Sequence, residues 1–199
     1  MAIDNALLMK QAREVLDGKW GLAVGGCFLY MVVTAVVGAP DDIGPALGFL
    51  ISGPMMLGLS VFSLALARKQ EASIHQLFVG FNDFVRNFVA YLLMALFIVL
   101  WAILLIVPGI IAALSYSQTF FILAEDKTIG ARDALRKSKA MMEGHKKELF
   151  FLGLNFLGWL VLSILTLGVG FLWFVPYIQV TMALFYDKVS QKSLPENTL

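Results

Sequence analysis

Few residues in this chain could do chemistry, and their placement argues against most of it. The two histidines, His75 and His145, stand apart among charged and polar neighbours, and the single cysteine, Cys27, sits in an apolar run. One thiol makes neither an intramolecular disulfide nor a cysteine-based metal site. Two isolated histidines read as solvated or interfacial side chains rather than metal ligands. A serine nucleophile needs a base beside it, and no such pair is visible. Gly168-Val169-Gly170 opens no strand–helix unit, so it reads as a turn and not a nucleotide loop. The expectation is a chain that is not an enzyme and carries no metal or cofactor.

Two other constellations remain. Polar side chains within apolar stretches cluster late in the chain: Ser115, Ser117, Gln118, Thr119, Asn155, Gln179 and Thr181. They could line a narrow polar path or a headgroup cleft, although hydrogen bonds between helices are the ordinary use of such residues. The second constellation is basic. From Lys127 to Lys147 there are seven basic and two acidic residues. Ala131, Ala134, Leu135, Ser138, Met141 and Met142 form one helical stripe, opposite Arg132, Asp133, Arg136, Lys137, Lys139 and Glu143. With Thr128 as N-cap and Gly144 as stop, this reads as a helix lying on an anionic membrane surface. Arg132, Arg136, Lys137, Lys139, Lys146 and Lys147 are its candidate lipid- or partner-binding surface, topology-setting charge being the plainer role.

The elements that must carry these residues follow from charge spacing. All 15 Lys and Arg lie in four clusters, and Trp20–Ala67, Asn87–Asp126 and Glu148–Asp187 contain none. Only 15% of the chain is charged and 59% is hydrophobic, whereas a soluble domain is about 25% charged. Each cation-free gap must leave and return to one side of a membrane. From Arg86 to Lys127 is about 60 Å of helix at 1.5 Å per residue, twice a hydrocarbon core of about 30 Å. The reading is an all-α polytopic membrane protein with six spans, 20–38, 43–67, 88–107, 109–125, 149–166 and 169–186. The spans form three hairpins with both termini on the cytoplasmic side. The hairpins turn at Gly38–Asp42, Pro108-Gly109 and Thr166–Gly170. Inside the spans no Asp, Glu, Lys, Arg or His is expected, which argues against proton relays, pumps and intramembrane catalysis. The first apolar segment reads as a retained span and not a cleaved leader. Gly21/Gly25 and Gly44/Gly48/Ser52 offer close helix approach. Trp20, Tyr91, Tyr186, Trp101, Trp173 and Tyr177 read as interfacial anchors.

A local pattern recurs three times, ending at Gly18, Gly80 and Gly144, each after an amphipathic stretch and before a hairpin whose second span holds a proline, Pro54, Pro108 or Pro176. These are expected structural breaks. One membrane domain over 1–199 results, with candidate repeats 1–68, 69–127 and 128–188 and a short tail, 189–199.

Leu105–Ile111, Leu114–Ser117, the stripe Ala131–Gly144, Leu165–Trp173, Val175-Pro176-Tyr177 and Phe185-Tyr186, with Gln11-Ala12-Arg13 and Gly18–Gly21, resemble the bacterial integral membrane family named domain of unknown function 975. The resemblance implies a multi-span protein of the bacterial cytoplasmic membrane and supplies no activity. The function expected is a non-enzymatic module that binds lipid or a protein partner; the alternative is a transporter or channel for an uncharged or amphiphilic solute. Anionic inner-leaflet lipids are the expected partners. A membrane or cytoplasmic protein and a second copy of the chain are compatible, and nucleic acid is not.

Overall fold

The computed structural model describes residues 3–39, 42–166 and 168–193. Pro40 and Asp41 of the first expected turn, Leu167 of the third, and the tail from 194 to 199 lie outside the described residues. The described chain is helical, with no strand. Its elements are α1 (Asn5–Leu16), α2 (Trp20–Gly38), α3 (Gly44–Ala67), a 3₁₀ helix (Ile74–Phe81), α4 (Phe84–Leu104), α5 (Ile106–Tyr116), α6 (Thr119–Glu125), α7 (Ala131–Met141), α8 (Lys146–Leu165) and α9 (Phe171–Ser193).

Five helices are long and apolar enough to cross a membrane: α2, α3, α4, the rod Ile106–Glu125 made by α5 and α6, and α8. Each is about 28–36 Å long at 1.5 Å per residue, the thickness of a hydrocarbon core. Helix α9 covers the sixth expected span but carries Gln179, Thr181, Asp187 and Lys188, and is not one of the five.

Burial sorts these helices into an inside and an outside. In α3, 67% of the most apolar stretch is buried, against 17% in α2 and 11% in α4. The core also takes Phe120, Phe121, Ile122 and Leu123 of α6 and Tyr177, Val180, Ala183, Phe185 and Tyr186 of α9. The outer helices turn large apolar side chains outward, among them Phe28 and Val36, Leu96, Val99 and Ile103, and Phe151, Leu157 and Val161. Such a surface is a liability in water and the natural surface against lipid.

The segments that lead into the long helices pack on the flank of the bundle. Helix α1, capped by Asp4 through the amides of Ala6 and Leu7, lies against α8 and α9. The 3₁₀ helix lies against α3. Helix α7 lies against α4, α5 and α6.

Several expected breaks have other roles. Gly18 (φ +73°) and Gly144 (φ +83°) do turn the chain through the left-handed region. Gly80 does not: it sits within the 3₁₀ helix, and a Cβ there would overlap the Pro54 carbonyl of α3. A Cβ on Gly58 would likewise overlap the Leu77 carbonyl, and one on Gly53 the Asn87 carbonyl. Pro54 and Pro176 stand inside unbroken helices. The second hairpin turn falls at extended Leu105, leaving Pro108 within the first turn of α5, where proline is tolerated. Gly21 and Gly25 face open space, because the close approach in α2 uses Gly26 against the Phe62 ring. Tyr177 and Tyr186 are buried, each with its hydroxyl engaged on the protein.

The ends of α3, α6 and α9 are tied by one cluster. A left-handed cap at Lys69 (φ +56°) closes α3, the Gln70 amide donating 2.8 Å to the Ala65 carbonyl. This sets Arg68 beside the two carboxylates. Its guanidinium donates to Asp187 at 2.7–3.3 Å and to Glu125 at 2.7 Å. The Tyr186 hydroxyl donates to the other oxygen of Glu125 at 2.6 Å, and the Tyr186 ring stacks on Phe121. The Asp187 carboxylate, and then Glu125, raise the guanidinium above its ordinary basicity, so its charge persists.

Two outcomes are expected. Gly58→Ala and Gly80→Ala each lower stability by about 1–3 kcal/mol through overpacking of backbone on backbone, measured as a lower thermal midpoint in detergent. Arg68→Gln and Asp187→Asn lower the same midpoint at low salt, and the deficit shrinks in 1 M salt, where the Debye length falls to about 3 Å. Arg68→Lys recovers only part of it, because an ammonium cannot fork between two carboxylates.

Candidate functional site

The basic segment is assembled from its loop. Arg86, in the first turn of α4, donates to the carbonyls of Leu123 and Lys127 and so caps the exit of α6. Asp126 then accepts from the Thr128 amide at 2.9 Å, the Thr128 hydroxyl at 2.6 Å and the Ile129 amide at 3.2 Å. These bonds, the hydroxyl's first, hold the Asp126 carboxyl below the ordinary carboxylate range. Thr128 is therefore a donor within this turn. The N-cap of α7 is Gly130, which makes no side-chain cap.

The apolar stripe of α7 is the buried one: Ala134, Leu135, Ser138 and Met141 face inward, while Arg132, Asp133, Arg136, Lys137 and Lys139 are exposed. Its one buried polar side chain, Ser138, donates 2.8 Å to the Ser115 carbonyl, just before α5 gives way to α6. That bond decides where the helix lies. Ser115 is ten residues from Glu125, about 15 Å along the rod. Helix α7 thus runs beside the α6 half of that rod rather than beyond its end.

The result is a cleft of 390 Å³ on the flank of the bundle. Its floor is Leu93 and Phe97 of α4, Tyr116 of α5 and Leu135 of α7, and its rim is Arg132, Arg136 and Lys139. Phe97 stacks on Tyr116 at 5.8 Å. A second cleft of 280 Å³, lined by Trp101, Pro108 and Ile111, shares Tyr116 and Lys139 with the first and adds Lys146. Four of the six expected cations therefore line adjoining apolar clefts, and Lys137 and Lys147 line neither. Arg136 reaches Asp133 at 3.2 Å, but both are exposed, and such pairs are worth little.

The late polar residues are placed differently from one another. The hydroxyls of Ser115, Ser117, Thr119 and Thr181 donate to carbonyls three or four residues back along the chain. Gln118 is fully buried, its amide donating 3.0 Å to the Ser117 hydroxyl, and its Oε1 has no partner among the described residues. Asn155 is exposed on α8, and Gln179 is half-buried on α9. Ser115 lines one cleft and Ser117 another.

Glu125 corrects the expectation that the spans hold no ionisable group, since it is the last residue of the fourth expected span and faces Arg68. His145 stands 2.6 Å from Glu148, whose carboxylate also accepts from the Ile3 amide. Among the described residues no three His, Cys, Asp or Glu side chains gather as a ligand set. The sequence signalled the basic rim through periodicity. It carried no signal for the floor, because Leu93, Phe97 and Tyr116 look like any other apolar residues until α7 is docked on them.

No curated protein and no solved structure matches the chain. The family described as protein of unknown function (DUF975) matches it over residues 1–113 and 103–193. Across nearly its whole length, then, this chain belongs to the DUF975 family.

Proposed function

We propose that the chain is a non-enzymatic, multi-pass protein of the bacterial cytoplasmic membrane that holds anionic phospholipid in the cleft between α4 and α7. The observation that carries this reading is the rim of Arg132, Arg136 and Lys139 over a floor of Leu93, Phe97, Tyr116 and Leu135. A phospholipid has that same division between anionic head and apolar chain. Long basic side chains lay their stems along apolar surface and present their charge at its edge. Near an anionic leaflet each basic residue contributes about 1 kcal/mol, so three acting together favour an anionic over a zwitterionic head by well over tenfold.

The reading includes six crossings as three pairs, with both termini cytoplasmic. It is supported by the inner position of α3, α6 and α9 and the outer position of α2, α4 and α8. In this arrangement α9 is an inner crossing, and protein rather than lipid surrounds most of its polar side chains. The Arg68–Glu125–Asp187 cluster then marks the cytoplasmic boundary, in line with the basic segments on that side.

The test is native mass spectrometry of the full chain from lipid particles of equal phosphatidylglycerol and phosphatidylcholine. Phosphatidylglycerol should be retained at least tenfold over phosphatidylcholine. The combined variant Arg132→Gln, Arg136→Gln, Lys139→Gln should lose that preference, and Lys147→Gln should keep it. Equal retention of the two lipids by the unaltered chain would remove the proposal.

A further inference from the structure

A separate cleft, beside the first lead-in segment α1, holds a cation against apolar helices. Arg13, exposed on α1, lies against apolar stretches of α8 and α9 about two turns from the loop that joins them. Its Nε donates 3.2 Å to the Tyr177 hydroxyl, and its guanidinium carbon lies 5.8 Å from the Trp159 ring and 5.5 Å from the Tyr177 ring. Trp159 is thirteen residues beyond Lys146, about 20 Å along α8, and Tyr177 is ten residues before Asp187, about 15 Å along α9. The Tyr177 hydroxyl in turn donates 3.2 Å to the Met9 carbonyl, which fixes the ring and with it the guanidinium.

Arg13 makes no ion pair with a carboxylate among the described residues; its neighbour Glu14 faces Lys10 instead. Among the described residues nothing accepts from the four N–H groups of its two terminal nitrogens. A cation set against apolar helices ordinarily finds a counter-charge. Ring faces supply part of that, about 0.5–2 kcal/mol, without using the donors.

The same guanidinium lines a cleft of 280 Å³ whose other walls include Trp20, Trp159, Trp173, Phe174 and Tyr177. The polar side chains of that cleft are committed: Ser163 donates to the Trp159 carbonyl, and Thr166 donates to the Ser163 carbonyl while accepting from Gly170. Arg13 is thus the one charged residue of the wall, and beside it only the single neutral indole donors of Trp20, Trp159 and Trp173 remain without a partner among the described residues. Just below the usual range of ligand pockets, about 300 to 1,000 Å³, the cleft matches a ligand that lays one chain along its aromatic walls.

We propose that this cleft binds a single-chain amphiphile with an anionic carboxylate or phosphate head, the head held by Arg13 and the chain by the aromatic walls. The flat fork of a guanidinium matches both heads in two-point fashion. The site is independent of the basic cleft at α7, which lies against α4 to α6.

Three of the four tryptophans line the cleft, so their emission reports on it directly. The full chain in detergent at pH 8 is titrated with 11-bromoundecanoate, with 11-bromoundecyl phosphate and with the neutral methyl ester of the first, bromine being the quencher. Saturable quenching at least tenfold tighter for one or both anions than for the ester is expected, and whichever anion binds tighter identifies the head. Arg13→Gln should abolish the difference while leaving the ester unchanged. The Arg132→Gln, Arg136→Gln, Lys139→Gln variant should bind the anions as the unaltered chain does, which separates this site from the phospholipid reading. An ester as tight as both anions overturns the proposal without recourse to any variant. An anion preference that survives Arg13→Gln in a chain of unchanged thermal midpoint overturns it equally.

Discussion

Arg68 stands where three helices end, and much of the architecture hangs on what it holds. Its guanidinium joins a carboxylate from the end of α6 to one from the end of α9, while its own backbone closes α3. Lipid-exposed helices have no hydrophobic drive to associate with one another, because the acyl chains are as apolar as their side chains. Association must come from close backbone contact and from polar bonds. Here the two occur at different heights: glycine-to-carbonyl contacts between α3 and the 3₁₀ helix, and the charged cluster at the helix ends. The cluster is part-exposed, so its desolvation cost is modest. A fully buried pair in the same role would contribute little net stability.

The lead-in segments share a second constraint. Each is too short to cross a membrane, and each carries apolar residues that must be covered. Packing on the flank of the bundle covers them and brings charged side chains alongside apolar walls. That placement generates both clefts. Arg132, Arg136 and Lys139 overhang one because Ser138 fixes α7 at the height of Ser115. Arg13 overhangs the other because Tyr177 fixes α1 through Met9.

Charge spacing made the long helices legible, since an absence of cations over about 40 residues has one economical explanation in a membrane. The stripe of α7 was legible because its period is local. What escaped was long-range. Arg68 meets Asp187 across 119 residues and Arg13 meets Tyr177 across 164, and no local pattern encodes such partners. Gly80 misled for a related reason: a glycine that turns the chain and one that admits a neighbouring backbone are the same letter, and only the φ angle and the Pro54 carbonyl tell them apart. A faint signal for the cluster did exist, because Arg68, Glu125 and Asp187 each fall at the end of a long apolar run.

The docking of the lead-in segments has an order. The 3₁₀ helix packs on α3, made just before it, and α7 packs on α4 to α6, made just before it, but α1 packs on α8 and α9, the last helices of the chain. The first segment to leave the ribosome therefore has its seat built last. About 160 residues separate the two, a wait on the order of ten to thirty seconds at 5–20 residues per second. Through that interval the apolar face of α1, with Leu8, Ala12, Val15 and Leu16, must rest on the membrane surface or on the insertion machinery. Closure of the bundle is thus timed by the arrival of the final hairpin, and a chain truncated before α8 would leave its own beginning only α3 to rest on.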